Sequence, residues 1–164
     1  MSINGFEMGF EGEVLQRGFW LYVWEIVCGQ KAYLYVGRTG DSSSPNASSP
    51  FNRIGQHLDF RENAKGNSLA KHLKEAGVDP KTSKFRMLAL GPLFPEQESF
   101  EAHKPYRDQM ATLEYETTAY LCKNQFTVLG KHHPGMPVPQ DVVDEIKSKV
   151  LRFLNKTSYS KRPK

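Results

Sequence analysis

Arg53 and His57 lie four residues apart in a segment with helical spacing, so their side chains stand next to each other on one helix face. Two tyrosines, Tyr22 and Tyr35, fall in short runs of β-branched and aromatic residues, and two glutamates, Glu114 and Glu116, occupy a later helical stretch. These residue types suit hydrolysis of a phosphodiester. That reaction needs a water made nucleophilic, a pentacovalent charge offset and a leaving alkoxide neutralised. Arginine offers a planar fork for phosphate oxygens, and one carboxylate can hold a hydrated Mg²⁺, which needs few protein ligands. A phenol with a pKa of about 10 is a poor base at neutral pH unless cations depress it; Arg53 and Arg38 are the candidates for that. Taken singly, each residue has a plainer role: the tyrosines as strand core, Arg53 and His57 as a solvated helix face, Glu116 as an untasked helix residue.

The elements that must position these groups follow from period and punctuation. Phe19–Val27 is too short and too aromatic for a helix, Cys28–Lys31 breaks it, and Ala32–Gly37 resumes it, which predicts a β-hairpin. On strict alternation Trp20, Tyr22, Trp24 and Ile26 share one face, and Leu21, Val23 and Val27 the other. Both faces carry apolar groups, so the sheet should be covered on both sides. Asp41–Pro50 is a loop by composition. Its last pair, Ser49-Pro50, is a cap and first-turn signal for a helix to about Asn63. There Phe51, Ile54 and Leu58 form the apolar stripe and Arg53 and His57 the opposite, non-core face. A second helix covers Ser68–Ala76, stopped by Gly77, and Lys84–Leu90 reads as a third strand. The longest helix runs from Pro105 to about Asn124, Lys131–Pro139 is loop, and Val142, Val143, Ile146, Val150 and Leu154 outline an amphipathic C-terminal helix packed on the core. The reading is an α/β (α+β) single domain. It has a small, mostly antiparallel sheet of three strands between helices, an extension over 1–18, a core over 19–126, and a C-terminal loop, helix and basic tail over 127–164.

Trp20-Leu21-Tyr22 followed by Tyr35-Val36-Gly37 resembles the paired signatures of the GIY-YIG endonuclease superfamily. Arg38-Thr39 is similar to the continuation of the second signature, and Arg53 with His57 to the family's Arg-x-x-x-His/Tyr element. Asn67–Lys74 resembles a helix that often precedes the glutamate, and Thr112–Glu116 the small-Leu-x-x-Glu element. The resemblance spans about Phe19 to Phe126, and its weight lies in the order hairpin, arginine helix, glutamate helix. It implies a metal-dependent DNA endonuclease in which Tyr22 and Tyr35 orient or deprotonate the water, Arg53 binds phosphate, His57 shares in proton transfer and Glu116 holds Mg²⁺ or another divalent cation such as Mn²⁺. The Leu-x-x-Glu spacing favours Glu116 over Glu114 as the metal ligand. The two point roughly 160° apart around a helix, so both cannot serve one ion. Arg38, Lys71 and Lys74 are the expected substrate-binding cations. The family glycine at the first signature is Trp20 here, which forfeits a close backbone approach.

A net charge of +4 in 164 residues fits a polyanionic partner without requiring one. The expected partner is double-stranded DNA, with Asp41–Pro50, Lys71–Lys74 and Lys131–Met136 as the segments able to read it; a homo-oligomer is an option. A non-catalytic nucleic-acid-binding module is the alternative. Cys28 and Cys122 form no disulfide framework or zinc motif, and His103, His132 and His133 read as loop histidines. Met1–Glu13 lacks signal-peptide character and no apolar run approaches a membrane span, so a cytoplasmic protein is expected.

Overall fold

The computed structural model describes residues 3–42 and 44–156; the basic tail Ser158–Lys164 lies outside them. Strand β1 (Phe19–Cys28) turns through Gly29 into β2 (Lys31–Arg38), and the two pair antiparallel from Leu21–Arg38 to Cys28–Lys31. Their alternation is as expected. Phe19, Leu21 and Val23 of β1 enter one core, and Tyr22, Trp24 and Ile26 the other. Strand β3 (Ser83–Phe94) pairs antiparallel with the other edge of β1. Among the described residues the sheet has four strands, not three, in the order β3-β1-β2-β4. The fourth, β4 (Val128–Leu129), runs parallel to β2 against Leu34 and Tyr35. Two residues carry no usable period, and Leu34 N–H fixes the approach by donating to Thr127 O at 2.8 Å. The segment after residue 126 therefore completes the sheet.

Helices α1 (Pro50–His57) and α2 (Ser68–Glu75) cover one face, where Ile54, Leu58, Leu69 and Leu73 meet the even residues of β1. Helices α3 (Phe100–Lys123) and α4 (Gln140–Leu154) cover the other, burying Met110, Leu113, Leu121, Val143, Ile146, Val150 and Leu154. Ser49 Oγ caps α1 by accepting from Asn52 N–H at 3.3 Å. The helix stops at His57, short of Asn63, because Asp59 bonds the backbone N–H and guanidinium of Arg61 and offers the chain a local turn. Helix α3 starts at Phe100, five residues before Pro105, because Ser99 caps it through Ala102 N–H. His103 is consequently a fully buried helix residue, not a loop histidine. Its two ring nitrogens face Pro45 O at 3.0 Å and Gly40 O at 2.9 Å, bracing both ends of the segment between them. Among the described residues no helix is long and apolar enough to cross a membrane.

Candidate active site

Tyr22 and Tyr35 sit on neighbouring strands and face α1 and α2. Gly37, opposite Tyr22 in the ladder, lets the ring lie against the backbone: a Cβ there would come 2.8 Å from Tyr22 Oη. Thr39 closes this end of the hairpin. Its Oγ1 accepts from Trp20 N–H at 2.8 Å and donates to Gly18 O at 2.6 Å. The bulk of Trp20 is accommodated one strand away, where Gly91 of β3 has φ +149° and its missing Cβ would meet the indole at 2.9 Å. Gly91 thus makes the room that the Trp20 ring needs, and Trp20 Nε1 donates to Gln16 O.

The Arg53–His57 face of α1 is turned to the sheet, not to solvent as its polarity suggested. His57 is buried and Arg53 nearly so. The imidazole lies edge-on to both tyrosines, with ring centroids 5.5 Å from each. His57 Nε2 is 2.5 Å from Tyr22 Oη, and Tyr22 O–H donates to Arg38 O at 3.1 Å. The assignment satisfying both contacts has Nε2–H donating to the phenol, which leaves Nδ1 as a bare lone pair. Burial, reinforced by the Arg53 cation, lowers the His57 pKa to about 3, so the ring is neutral at ordinary pH. Arg53 donates to Gln56 Oε1 at 2.7 Å and to Asp41 Oδ2 at 3.2 Å.

The tyrosines are not the depressed phenols that nearby arginines would create. Burial pushes Tyr22 far up and Tyr35 up to about 12, the Glu114 charge adding to the latter, and this outweighs the opposing pull of Arg53. Both remain protonated at neutral pH.

The second half of the site comes round the sheet edge where β4 ends. Glu114 of α3 is buried, and its Oε2 accepts from Arg38 Nε at 3.0 Å and pairs with His132 Nδ1 at 3.2 Å. The His132 ring approaches Tyr35 at 6.5 Å. Arg38 also donates to Arg107 O, so it is fastened to α3 and not extended toward solvent. Glu116, the glutamate favoured by spacing, lies elsewhere. It pairs with Lys147 of α4 at 3.2 Å, its side chain 40% exposed against 10% for Glu114. The structure therefore brings together Tyr22, Tyr35, Arg38, Arg53, His57 and Glu114, and leaves Glu116 out. Lys71 and Lys74 are exposed on α2. His132 had no sequence signal beyond being a histidine in a loop.

Among the described residues Arg53 Nε, His57 Nδ1 and His132 Nε2 have no hydrogen-bond partner, as is true also of Trp24 Nε1, Asn67 Oδ1 and Thr118 Oγ1. No set of three or more His, Cys, Asp or Glu residues that would cage a metal is present among the described residues. The donor chemistry fits a hydrated Mg²⁺ or Mn²⁺ held by one carboxylate, since only Oε2 of Glu114 is engaged by Arg38 and His132. Compared with family models, curated proteins and solved structures, the chain finds no match.

Proposed function

We propose that the protein is a metal-dependent endonuclease hydrolysing phosphodiester bonds in double-stranded DNA by GIY-YIG-type chemistry. The observation that carries this reading is the packing of His57, beside Arg53 on α1, against Tyr22 and Tyr35, with the buried Glu114 joined to the same strands through Arg38 and to Tyr35 by way of His132. Arg53 Nε is an unused donor for a phosphate oxygen, its other nitrogens being held by Gln56 and Asp41. His57 Nδ1 takes the proton of the attacking water, while Tyr22 fixes the ring through Nε2. Burial is the larger cause of the weak basicity of His57 and the Arg53 charge the smaller, and it is the smaller part that an anionic phosphate offsets on binding. Tyr35, a protonated phenol, donates to a phosphate oxygen. Glu114 is the carboxylate that would hold a hydrated divalent cation, which when bound would offset charge at the leaving oxygen. Arg38 positions Glu114, and the exposed Lys71 and Lys74 meet backbone phosphates beyond the cleft.

The test is a plasmid-nicking assay with Mg²⁺ or Mn²⁺. Wild type cuts, and Arg53→Ala and His57→Ala each lose at least about a hundredfold in rate. Wild type inactive on duplex, branched and single-stranded DNA would sink the enzyme. Salt-dependent DNA retention without cuts would instead indicate a binding module.

A further inference from the structure

Both partners of the Glu114 carboxylate are themselves fastened to the helix that carries it. Arg38 comes from the end of β2; its Nε donates to Glu114 Oε2 at 3.0 Å and its Nη1 to Arg107 O at 2.6 Å. Arg107 stands about two turns earlier on α3. His132 comes from the other side, its Nδ1 paired with the same oxygen at 3.2 Å. This histidine lies midway along a short bridge, three positions from each end. At Leu129 the chain is still in the sheet, opposite Tyr35 of β2. At Gly135 it is back on α3, where Gly135 N–H donates to Thr112 Oγ1 at 2.9 Å and Met136 N–H to Asp108 O at 3.1 Å. That landing admits only glycine. A Cβ on Gly135 would stand 2.2 Å from the Asp108 carbonyl oxygen, which is helix backbone and cannot turn aside. Lys131 and His133–Pro137 are exposed, whereas the His132 side chain is 12% exposed. An exposed segment is thus held down at both ends, and the histidine between them is turned in against one carboxylate.

We propose that this bridge is a clasp that makes His132 a positioning residue: with Arg38 it holds Glu114 Oε2 from two sides and leaves Oε1 for a hydrated divalent cation. The purpose of the clasp rests on the nuclease reading. A glutamate carboxylate otherwise turns broadly about its last bond. A cation with few protein ligands takes its place from that one group, so the turning has to be stopped. Two contacts on one oxygen, each from a group tied back to α3, stop it. Partners of this kind act through the ligand they orient.

Three variants of the full chain test this: His132→Ala, Gly135→Ala, and His132→Asn, whose amide nitrogen falls about where Nδ1 stood. The first readout needs no cutting. Free Mn²⁺ followed by electron paramagnetic resonance should show affinity falling about 10- to 100-fold in His132→Ala and Gly135→Ala, and largely restored in His132→Asn. Nicking should follow the same order, with kcat down and the KM for DNA within about twofold of wild type, because His132 acts through Glu114 and not on DNA. The Gly135 and Met136 amides should exchange hydrogen slowly in wild type and His132→Ala but fast in Gly135→Ala, which separates an opened clasp from a lost imidazole. Mn²⁺ affinity indifferent to His132→Ala would overturn the proposal, whether or not the protein cuts. A loss that His132→Asn does not restore would also overturn it, by giving His132 a role other than holding the carboxylate. A wild type whose Mn²⁺ affinity depends on His132 but which cuts no DNA would sink the nuclease reading alone.

Discussion

Replacing Glu114 by glutamine keeps the side-chain volume and removes the charge that Arg38 and His132 share. Opposite unit charges 3.0 Å apart attract by about 5 kcal/mol at an effective dielectric of ~20, most of it offset by desolvation. Breaking a fully buried pair costs ~3–5 kcal/mol. Here Arg38 keeps its bond to Arg107 O, and its side chain is 17% exposed. The expected loss is therefore at the low end, about 2–3 kcal/mol, or roughly 5–10 °C in Tm for a chain of this size. Glu116→Gln disrupts an ion pair whose glutamate is 40% exposed, and should cost within about 0.5 kcal/mol. Calorimetry and urea unfolding measure both. In the nicking assay Glu114→Gln should fall at least about a hundredfold while Glu116→Gln stays near wild type. Equal stability losses, or activity lost with Glu116 and kept with Glu114, would refute the assignment of the buried carboxylate.

His57 also makes stability depend on pH. Its folded pKa is about 3, below the ordinary value of about 6.5, so between these limits the unfolded chain binds more protons. The contribution is complete above the unfolded value and is lost as pH falls toward the folded one, by at most about 1.4 kcal/mol per unit. Urea unfolding should show His57→Gln losing this slope between pH 6.5 and 4.5 (about 2–3 kcal/mol over that range). Gly37→Ala places a methyl 2.8 Å from Tyr22 Oη; it should cost about 1–3 kcal/mol and reduce nicking by displacing the phenol from His57. An unchanged melt and rate would show that the ring relocates freely.

The hairpin was legible because its two apolar sets obey a period of two, which leaves little choice of register. The caps at Ser49-Pro50 were equally readable, being local chemistry. Other features depend on what lies across the fold. Arg53 and His57 look like a solvated face until two strand tyrosines are set against them. Glu114 and Glu116 differ only in which side of α3 meets the sheet edge, and motif spacing chose the one that faces α4. The helix start also misled: Pro105 signals a first turn, but Ser99 supplies a cap further back and draws His103 inside.

That His103 and Glu114 share α3 gives the helix a gauge-like role. The former grips the carbonyls of Gly40 and Pro45, flanking the Asp41 that holds Arg53, and the latter carries the carboxylate. They are eleven positions apart, about 16 Å along the axis and within roughly 20° of the same side at ~100° per residue. The span between Arg53 and the acidic group is thereby fixed by a residue count. Removing a single residue between them would swing one grip roughly 100° from the other, so this stretch should tolerate substitution far better than any change of length.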